Sequence, residues 1–155
     1  MSRAVGGRVN QFNHDKVLAR KVGVDYTLAG AKAMAAALSG PTLSATGRKF
    51  RFVFCSGMWS EWDQSRKLYF LEDSRKIKGE IERALTELAE ANAETFEVWI
   101  ARPSGLIGAD AGLHKKIFGP LYGGIGTEQL GKGMIRLAVE GWKERIVENG
   151  DLLKM

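Results

Sequence analysis

Two strand-like runs on either side of one amphipathic helix constrain the fold of this chain more than any other feature. Residues 50–55 are apolar on both faces apart from Arg51, as in a strand buried between helices, and residues 95–101 form a second run. Between them, residues 74–90 carry apolar side chains at helical spacing, namely Ile77, Ile81, Ala84, Leu85 and Leu88. A strand, a helix of this length and another strand form a βαβ unit, whose two strands are parallel.

The rest of the pattern predicts a single α/β domain over residues 1–155. Residues 14–38 carry apolar positions at helical spacing and predict a helix. The glycine-rich residues 103–126 predict a long loop that contains one short helix near residues 113–118. Residues 127–149 predict a final helix. The predicted architecture is therefore a small, two-stranded parallel sheet flanked by helices.

Composition and charge narrow the class of partner. The chain has 155 residues, a net charge of +5 and 45% hydrophobic residues, which is ordinary for a folded soluble protein. Its basic residues are scattered, so we expect no nucleic-acid partner. No apolar run approaches the about 18 residues of a membrane span, and the amino terminus has no signal pattern, so we expect a cytoplasmic protein with no membrane partner. Cys55, the sole cysteine, is predicted to be buried and inert.

The carboxyl ends of the two predicted strands are the expected place for a site. Ligands bind to parallel sheets outside those ends, where Ser56 and Arg102 lie. The long connection over residues 57–73 is typical of functional loops. Its large aromatic side chains indicate either a wall of the site or a cover for the edge of the sheet; they are Trp59, Trp62, Tyr69 and Phe70.

Local patterns predict how the helix after this loop begins and which side chains it exposes. Asp73 or Ser74 is suited to cap its amino terminus, and Lys78 and Glu82 are spaced for a surface ion pair. The two histidines of the chain have no partners at metal-ligand spacing, so no metal site is predicted.

Three segments, in their order and spacing, resemble the second half of the short-chain dehydrogenases/reductases. They are residues 51–57 (Arg-Phe-Val-Phe-Cys-Ser-Gly), residues 78–80 (Lys-Gly-Glu) and residues 100–105 (Ile-Ala-Arg-Pro-Ser-Gly). Residues 24–30 also resemble the helix before the catalytic strand of that family. The likeness is greatest to the atypical and extended NAD(P)-binding Rossmann-fold proteins common in fungi. It implies a partial Rossmann-like, three-layer α/β fold.

The resemblance implies roles for individual residues. Ser56 matches the serine that hydrogen-bonds the substrate, and Lys78 matches the lysine of a Tyr-x-x-x-Lys motif that holds the cofactor ribose. Ser74 stands where that motif has its catalytic tyrosine, and Tyr69 is the nearby phenol that would have to replace it. The residues implied to bind the cofactor, NADP or NAD, are Lys78, Arg102, Pro103 and Gly105.

The chain departs from the family at its amino-terminal side. Gly6-Gly7-Arg8 resembles the loop after the family's fourth strand, so the glycine-rich half that binds the pyrophosphate is expected to be absent. Residues 124–126 (Gly-Ile-Gly) follow a loop and are interpreted as a turn. Dinucleotide binding should then be weak unless another chain supplies the missing part. The strand of residues 50–55 would lie at an exposed sheet edge, which predicts a homo-oligomer.

Three hypotheses of function follow from this resemblance and its gaps. The first is an NAD(P)-dependent oxidoreductase-like protein that acts on a small organic carbonyl or hydroxyl compound, with a small-molecule substrate as its partner. The second is a non-catalytic nucleotide-sensing or protein-interaction domain, which the serine at position 74 favours. The third is a truncated, inactive fragment.

Overall fold

The computed structural model describes residues 9–38, 45–108 and 123–155. The predictions for Gly6-Gly7-Arg8 and for the short helix near residues 113–118 lie outside the described residues. The chain divides into two compact units: the first contains residues 1–50 and 59–97, and the second contains residues 51–58 and 98–155.

The first unit is mainly helical. A 3-10 turn (Val9–Phe12) precedes a run made of helix α1 (Lys16–Arg20), a π-helical turn (Lys21–Tyr26) and helix α2 (Thr27–Leu38), and helix α3 (Glu72–Ala91) follows the long loop. The run from α1 to α2 confirms the helix predicted over residues 14–38. In the described part of the chain, no helix has the length and apolar character needed to cross a membrane.

Helix α3 is the element on which the first helical run packs. The approach is close at Gly23, where a Cβ atom would lie 3.1 Å from Cγ2 of Ile77. Arg20 forms an ion pair with Glu80 across this contact, and Lys16 Nζ lies 2.9 Å from the Asp73 carboxylate. The apolar side chains buried in this unit are Val9, Ala19, Val24, Ala31, Ile81, Leu85, Ala89 and Phe96.

The strands form one three-stranded parallel sheet and one short pair. The elements are β1 (Phe50–Cys55), β2 (Phe96–Arg102), β3 (Leu106–Ile107), β4 (Ile125–Gly126), helix α4 (Thr127–Glu140), β5 (Ile146–Glu148) and helix α5 (Asn149–Leu152). The sheet order is β1-β2-β5, and β3 pairs with β4. Bonds from Phe50 N to Thr95 O and from Ser56 N to Ala101 O advance in the same direction, so β1 and β2 are parallel. The α/β prediction of a small parallel sheet flanked by helices is confirmed.

Two predictions about the strands are wrong. The sheet has a third strand, because the last long helix ends at Glu140 and Ile146–Glu148 pairs with β2 in parallel. Gly141 ends that helix with a left-handed φ of +77°, and a Cβ atom there would lie 2.9 Å from the Trp99 ring. Cys55 is exposed rather than buried, since it ends a strand at the edge of the sheet.

One cluster of apolar side chains lies in the core of the second unit. Its buried members are Trp99, Ala101, Ile125, Leu130, Leu137, Val147 and Leu152. The Arg51 guanidinium closes one side of this cluster, because it lies 5.5 Å from the centroid of the Trp99 ring and donates to the Val139 carbonyl near the end of α4. The tripeptide at residues 124–126, which was predicted to be a turn, partly forms strand β4.

The start of α3 differs from its prediction. The helix begins at Glu72, and its N-cap is Leu71, which makes no capping bond through its side chain. Asp73 pairs with Lys16 instead, and the Ser74 hydroxyl accepts a bond from the Val9 N–H at 3.0 Å. Neither predicted capping residue therefore acts as the cap, because both lie inside the helix, where Asp73 contacts α1 and Ser74 contacts the 3-10 turn.

The long loop before α3 lies directly on that helix at Gly79. A Cβ atom at this position would lie 1.8 Å from the Glu61 carbonyl oxygen. Glu61 N also donates to Arg75 O at 3.0 Å, and Gln64 Nε2 donates to Lys76 O at 3.2 Å. Backbone therefore packs on backbone here, and only glycine leaves room for it.

Replacing Gly79 with alanine should destabilise the protein, because the loop or the helix must shift to accept the methyl group. We expect a loss of about 1–3 kcal/mol in the free energy of unfolding, measured by urea denaturation. Gly131→Ala in α4 is the matched control, since nothing lies within 4 Å of its Cβ position. That variant should be neutral or gain up to about 1 kcal/mol. Equal stabilities for the two variants would contradict the packing.

Candidate functional site

The carboxyl ends of β1, β2 and β5 lie at one edge of the parallel sheet, and the turns that follow β1 and β2 are bonded to each other. Ser56 N donates to Ala101 O, and Met58 N donates to Pro103 O, both at 2.8 Å. Ser56 and Pro103 are buried. The edge at which α/β proteins bind ligands therefore carries two turns that hold each other in place.

A polar cluster, here called the Asn149 cluster, lies at the same edge and consists of Asn149, Ser104 and Gly123. Asn149 Oδ1 accepts from Ser104 N at 3.0 Å, and its Nδ2 donates to Gly123 O at 2.9 Å. The Ser104 hydroxyl donates to the same Gly123 carbonyl. Asn149 was not among the site residues predicted from the sequence, where it stands only at the end of the helix predicted over residues 127–149.

Arg102 is paired within the protein. It lies opposite Glu148 in the register of β2 and β5, and its Nη1 is 3.0 Å from Glu148 Oε1. The side chain of Arg102 is 15% exposed and that of Glu148 is 55% exposed. The Arg102 guanidinium is therefore held at the rim of the sheet edge by the Glu148 carboxylate, which is more exposed to water than Arg102 is.

Four of the predicted site residues lie together at this edge, in the second unit: Ser56, Arg102, Pro103 and Gly105. The carbonyl of Gly105 accepts from Ile125 N at 3.0 Å, which joins the turn after β2 to the short β3–β4 pair. The other two predicted residues belong to the first unit. Lys78 is half-buried on α3, and Tyr69 is fully exposed in the loop before it.

Ser74 is occupied by a structural bond. The residue is buried, and its hydroxyl oxygen accepts from the Val9 N–H. A serine in this position anchors the amino-terminal turn to α3. It has neither the acidity nor the exposure of the tyrosine that the resemblance would place there.

Glu82 is a buried carboxylate that the sequence analysis assigned to the surface. It is completely buried, and its Oε2 accepts from the Trp62 indole N–H at 2.7 Å. The predicted surface position of Glu82 is therefore wrong, since this residue lies on the inner face of α3. The sequence did contain a sign that Glu82 is buried, because this residue stands between Ile81 and Leu85 in the apolar stripe.

The loop before α3 holds two bulky residues in the left-handed region, Trp59 at φ 65° and Leu71 at φ 50°. Arg75 holds both: its Nε donates to Trp59 O at 2.6 Å, and its backbone N donates to Leu71 O at 2.9 Å. Such conformations persist only where several contacts enforce them. Trp62 points inward to Glu82, whereas Trp59, Tyr69 and Phe70 are exposed.

Two carboxylates support this loop in their ionised form. The pKa of Asp63 is lowered because its carboxylate accepts from the hydroxyl and then the backbone N–H of Ser65. The pKa of Glu72 is lowered chiefly by the hydrogen bond from Lys76, with a further bond from the Leu68 N–H. Because both pKa values are lower in the folded protein than in the unfolded chain, the ionised carboxylates stabilise the fold at a pH above the unfolded-state pKa. This stabilisation is lost as the pH falls through the folded-state pKa.

A cavity of about 400 Å³ lies in the first unit between α2 and the end of α3. The described side chains that line it are Lys32, Ala35, Ala36, Leu88, Asn92 and Thr95. None of the predicted site residues is among them, and Asn92 already donates to Leu88 O at 2.8 Å. The cavity therefore does not belong to the predicted site.

Comparison with protein-family models, with curated proteins and with solved structures gave no match. The resemblance to the short-chain dehydrogenases/reductases therefore stays a prediction, as do the roles that it implies for Ser56 and Lys78. What the structure adds is the arrangement of the carboxyl edge of the sheet.

Trp62→Phe should destabilise the fold, because the buried Glu82 carboxylate loses its indole donor. We expect a loss of about 1–3 kcal/mol in the free energy of unfolding, measured by urea denaturation. Trp59→Phe is the control: that ring is 58% exposed, so the change should stay within about 0.5 kcal/mol. Losses of the same size in both variants would show that the indole–carboxylate bond adds nothing.

Proposed function

We propose that this chain is an NAD(P)-dependent oxidoreductase-like protein of the short-chain dehydrogenase/reductase type, acting on a small organic carbonyl or hydroxyl compound. The observation that carries the proposal is the carboxyl edge of the parallel sheet, where the buried turn at Ser56 is bonded to the turn of residues 102–105. Ligands of α/β sheets bind at such an edge.

The residues at this edge suit the nicotinamide end of the cofactor. The turn of residues 102–105 is held on three sides, by Met58, by Asn149 and by Ile125, so it offers a fixed surface. In the proposed reaction, the Ser56 hydroxyl donates to the substrate oxygen. The dinucleotide supplies the hydride when it is bound.

A second function, non-catalytic nucleotide sensing or protein interaction, has one specific observation in its favour. Ser74, at the position of the family's catalytic tyrosine, is buried and bonded to Val9 N, and Tyr69 is fully exposed. Ser74 therefore cannot act as the acid that the family's tyrosine would provide to the substrate oxygen. Binding without turnover is the behaviour that this second function predicts.

We also propose that the chain pairs with a second copy through β1. This strand lies at the edge of the sheet in the described part of the chain, and its residues are half-buried or exposed. Edge strands of this kind are templates for pairing with another chain.

Titration with NADPH and NADH, followed by tryptophan fluorescence, tests cofactor binding. We expect saturable quenching, and Arg102→Ala should weaken binding by about tenfold or more through loss of a charged contact. Arg136→Ala is the matched control, because Arg136 also pairs with a glutamate, Glu140, at 2.8 Å. Its affinity should equal that of the wild type. No quenching up to millimolar cofactor would overturn the proposal.

Turnover of a panel of aldehydes and ketones with the bound cofactor separates the two functions. Ser56→Ala should lower kcat/KM by about 100-fold and leave the cofactor Kd unchanged, because the hydroxyl is proposed to act on the substrate oxygen. Ser65→Ala, at an exposed serine, should leave both unchanged. Cofactor binding with no turnover of any compound would exclude the reductase and favour the sensing function.

A further inference from the structure

The Asn149 cluster joins three segments that are distant in sequence. Asn149 begins α5 directly after β5, Ser104 follows β2, and Gly123 precedes β4. The single amide of Asn149 contacts both other segments, through Oδ1 to Ser104 N and through Nδ2 to Gly123 O. The oxygen and the nitrogen of the Asn149 amide therefore each hold one backbone segment in place.

The cluster is connected to Ser56 by a short series of backbone bonds. Ser104 directly follows Pro103, whose carbonyl accepts from Met58 N at 2.8 Å. Met58 lies two residues after Ser56, whose own N–H donates to Ala101 O. A shift of Ser104 would therefore be passed through Pro103, and through the hydrogen bond from Met58 N to Pro103 O, to the turn that contains Ser56.

We propose that Asn149 is a positioning residue for the site: it fixes the turn of residues 102–105 and, through that turn, the backbone that presents Ser56. The ligand-binding part of this proposal rests on the proposed function. The positioning part concerns the protein alone and is measured without any ligand.

Asparagine has the chemistry that this position requires. The side chain must accept a bond from one backbone N–H and donate a bond to one backbone carbonyl, and a planar amide does both. An aspartate has the same shape but only accepts when ionised, so its carboxylate would face the Gly123 carbonyl without a donor. When protonated, it regains one O–H donor.

Asn149→Ala tests the positioning in the absence of ligand, by hydrogen exchange of individual amides. We expect exchange at Ser104 and Met58 to accelerate by about tenfold, because the bonds that keep the turn closed are lost. The Ile100 amide, which donates to Arg145 O within the sheet, should be unchanged. Asn92→Ala is the control, since it also removes an amide bond to a backbone carbonyl, that of Leu88. It should leave Ser104 and Met58 unchanged.

Asn149→Asp keeps the shape of the side chain and provides a variant in case alanine impairs folding. At neutral pH its NADPH Kd should rise by about tenfold over the wild type. The ratio of the two Kd values should narrow as the pH falls towards about 4, near the ordinary pKa of an aspartate, because the protonated carboxyl regains its donor. Glu148 and Asp151 flank this position, and Arg102 pairs with Glu148; referring each value to the wild type at the same pH removes their own titration.

The outcomes separate this proposal from the proposed function. Accelerated exchange at Met58 together with a weaker Kd supports both, and accelerated exchange in a protein that binds no cofactor supports the positioning role and overturns the proposed function. Exchange that accelerates at Ser104 but not at Met58 would overturn the positioning of the Ser56 turn. A Kd ratio that does not change with pH would overturn the donor role of Asn149 Nδ2.

Discussion

Strand β2 is the element on which the sheet and its carboxyl edge depend. It is the central strand, bonded in parallel to β1 on one side and to β5 on the other, and five of its seven residues are buried. Because all three strands run in the same direction, their carboxyl ends lie together, and the residues that follow them meet at one edge. The contact of Ser56 with Ala101, the pairing of Arg102 with Glu148 and the Asn149 cluster all follow from this alignment.

Helix α3 contributes apolar side chains to the core of the first unit and also supports the loop that precedes it. Its apolar stripe packs in the core, and Gly79 lets the preceding loop lie on its backbone. Burial of Glu82 on the inner face is tolerated because Trp62 donates to its carboxylate. The loop thus contributes to stability through Trp62 and presents Trp59, Tyr69 and Phe70 to solvent.

The proposed function and the positioning role of Asn149 depend on different evidence. The first depends on a resemblance carried by residues such as Ser56 and Lys78, together with the edge at which Ser56 lies. The second depends on the hydrogen bonds of one amide and needs no family. Ser74, which is bonded to Val9, is the residue that most separates this chain from a reductase with a tyrosine at that position.

The sequence by itself determined the α/β class, the two longer strands, helix α3 and the position of Ser56 and Arg102 at the ends of strands. Periodicity suffices for these because each is a local pattern whose apolar residues must be buried. It could not identify β5, because three residues have too little periodicity to distinguish a strand from the end of a helix. Only the tertiary structure decided that Trp62 donates to Glu82, that Cys55 is exposed and that Asn149 binds Ser104 and Gly123. Each of these depends on a partner that is distant in sequence, and local patterns contain no information about such partners.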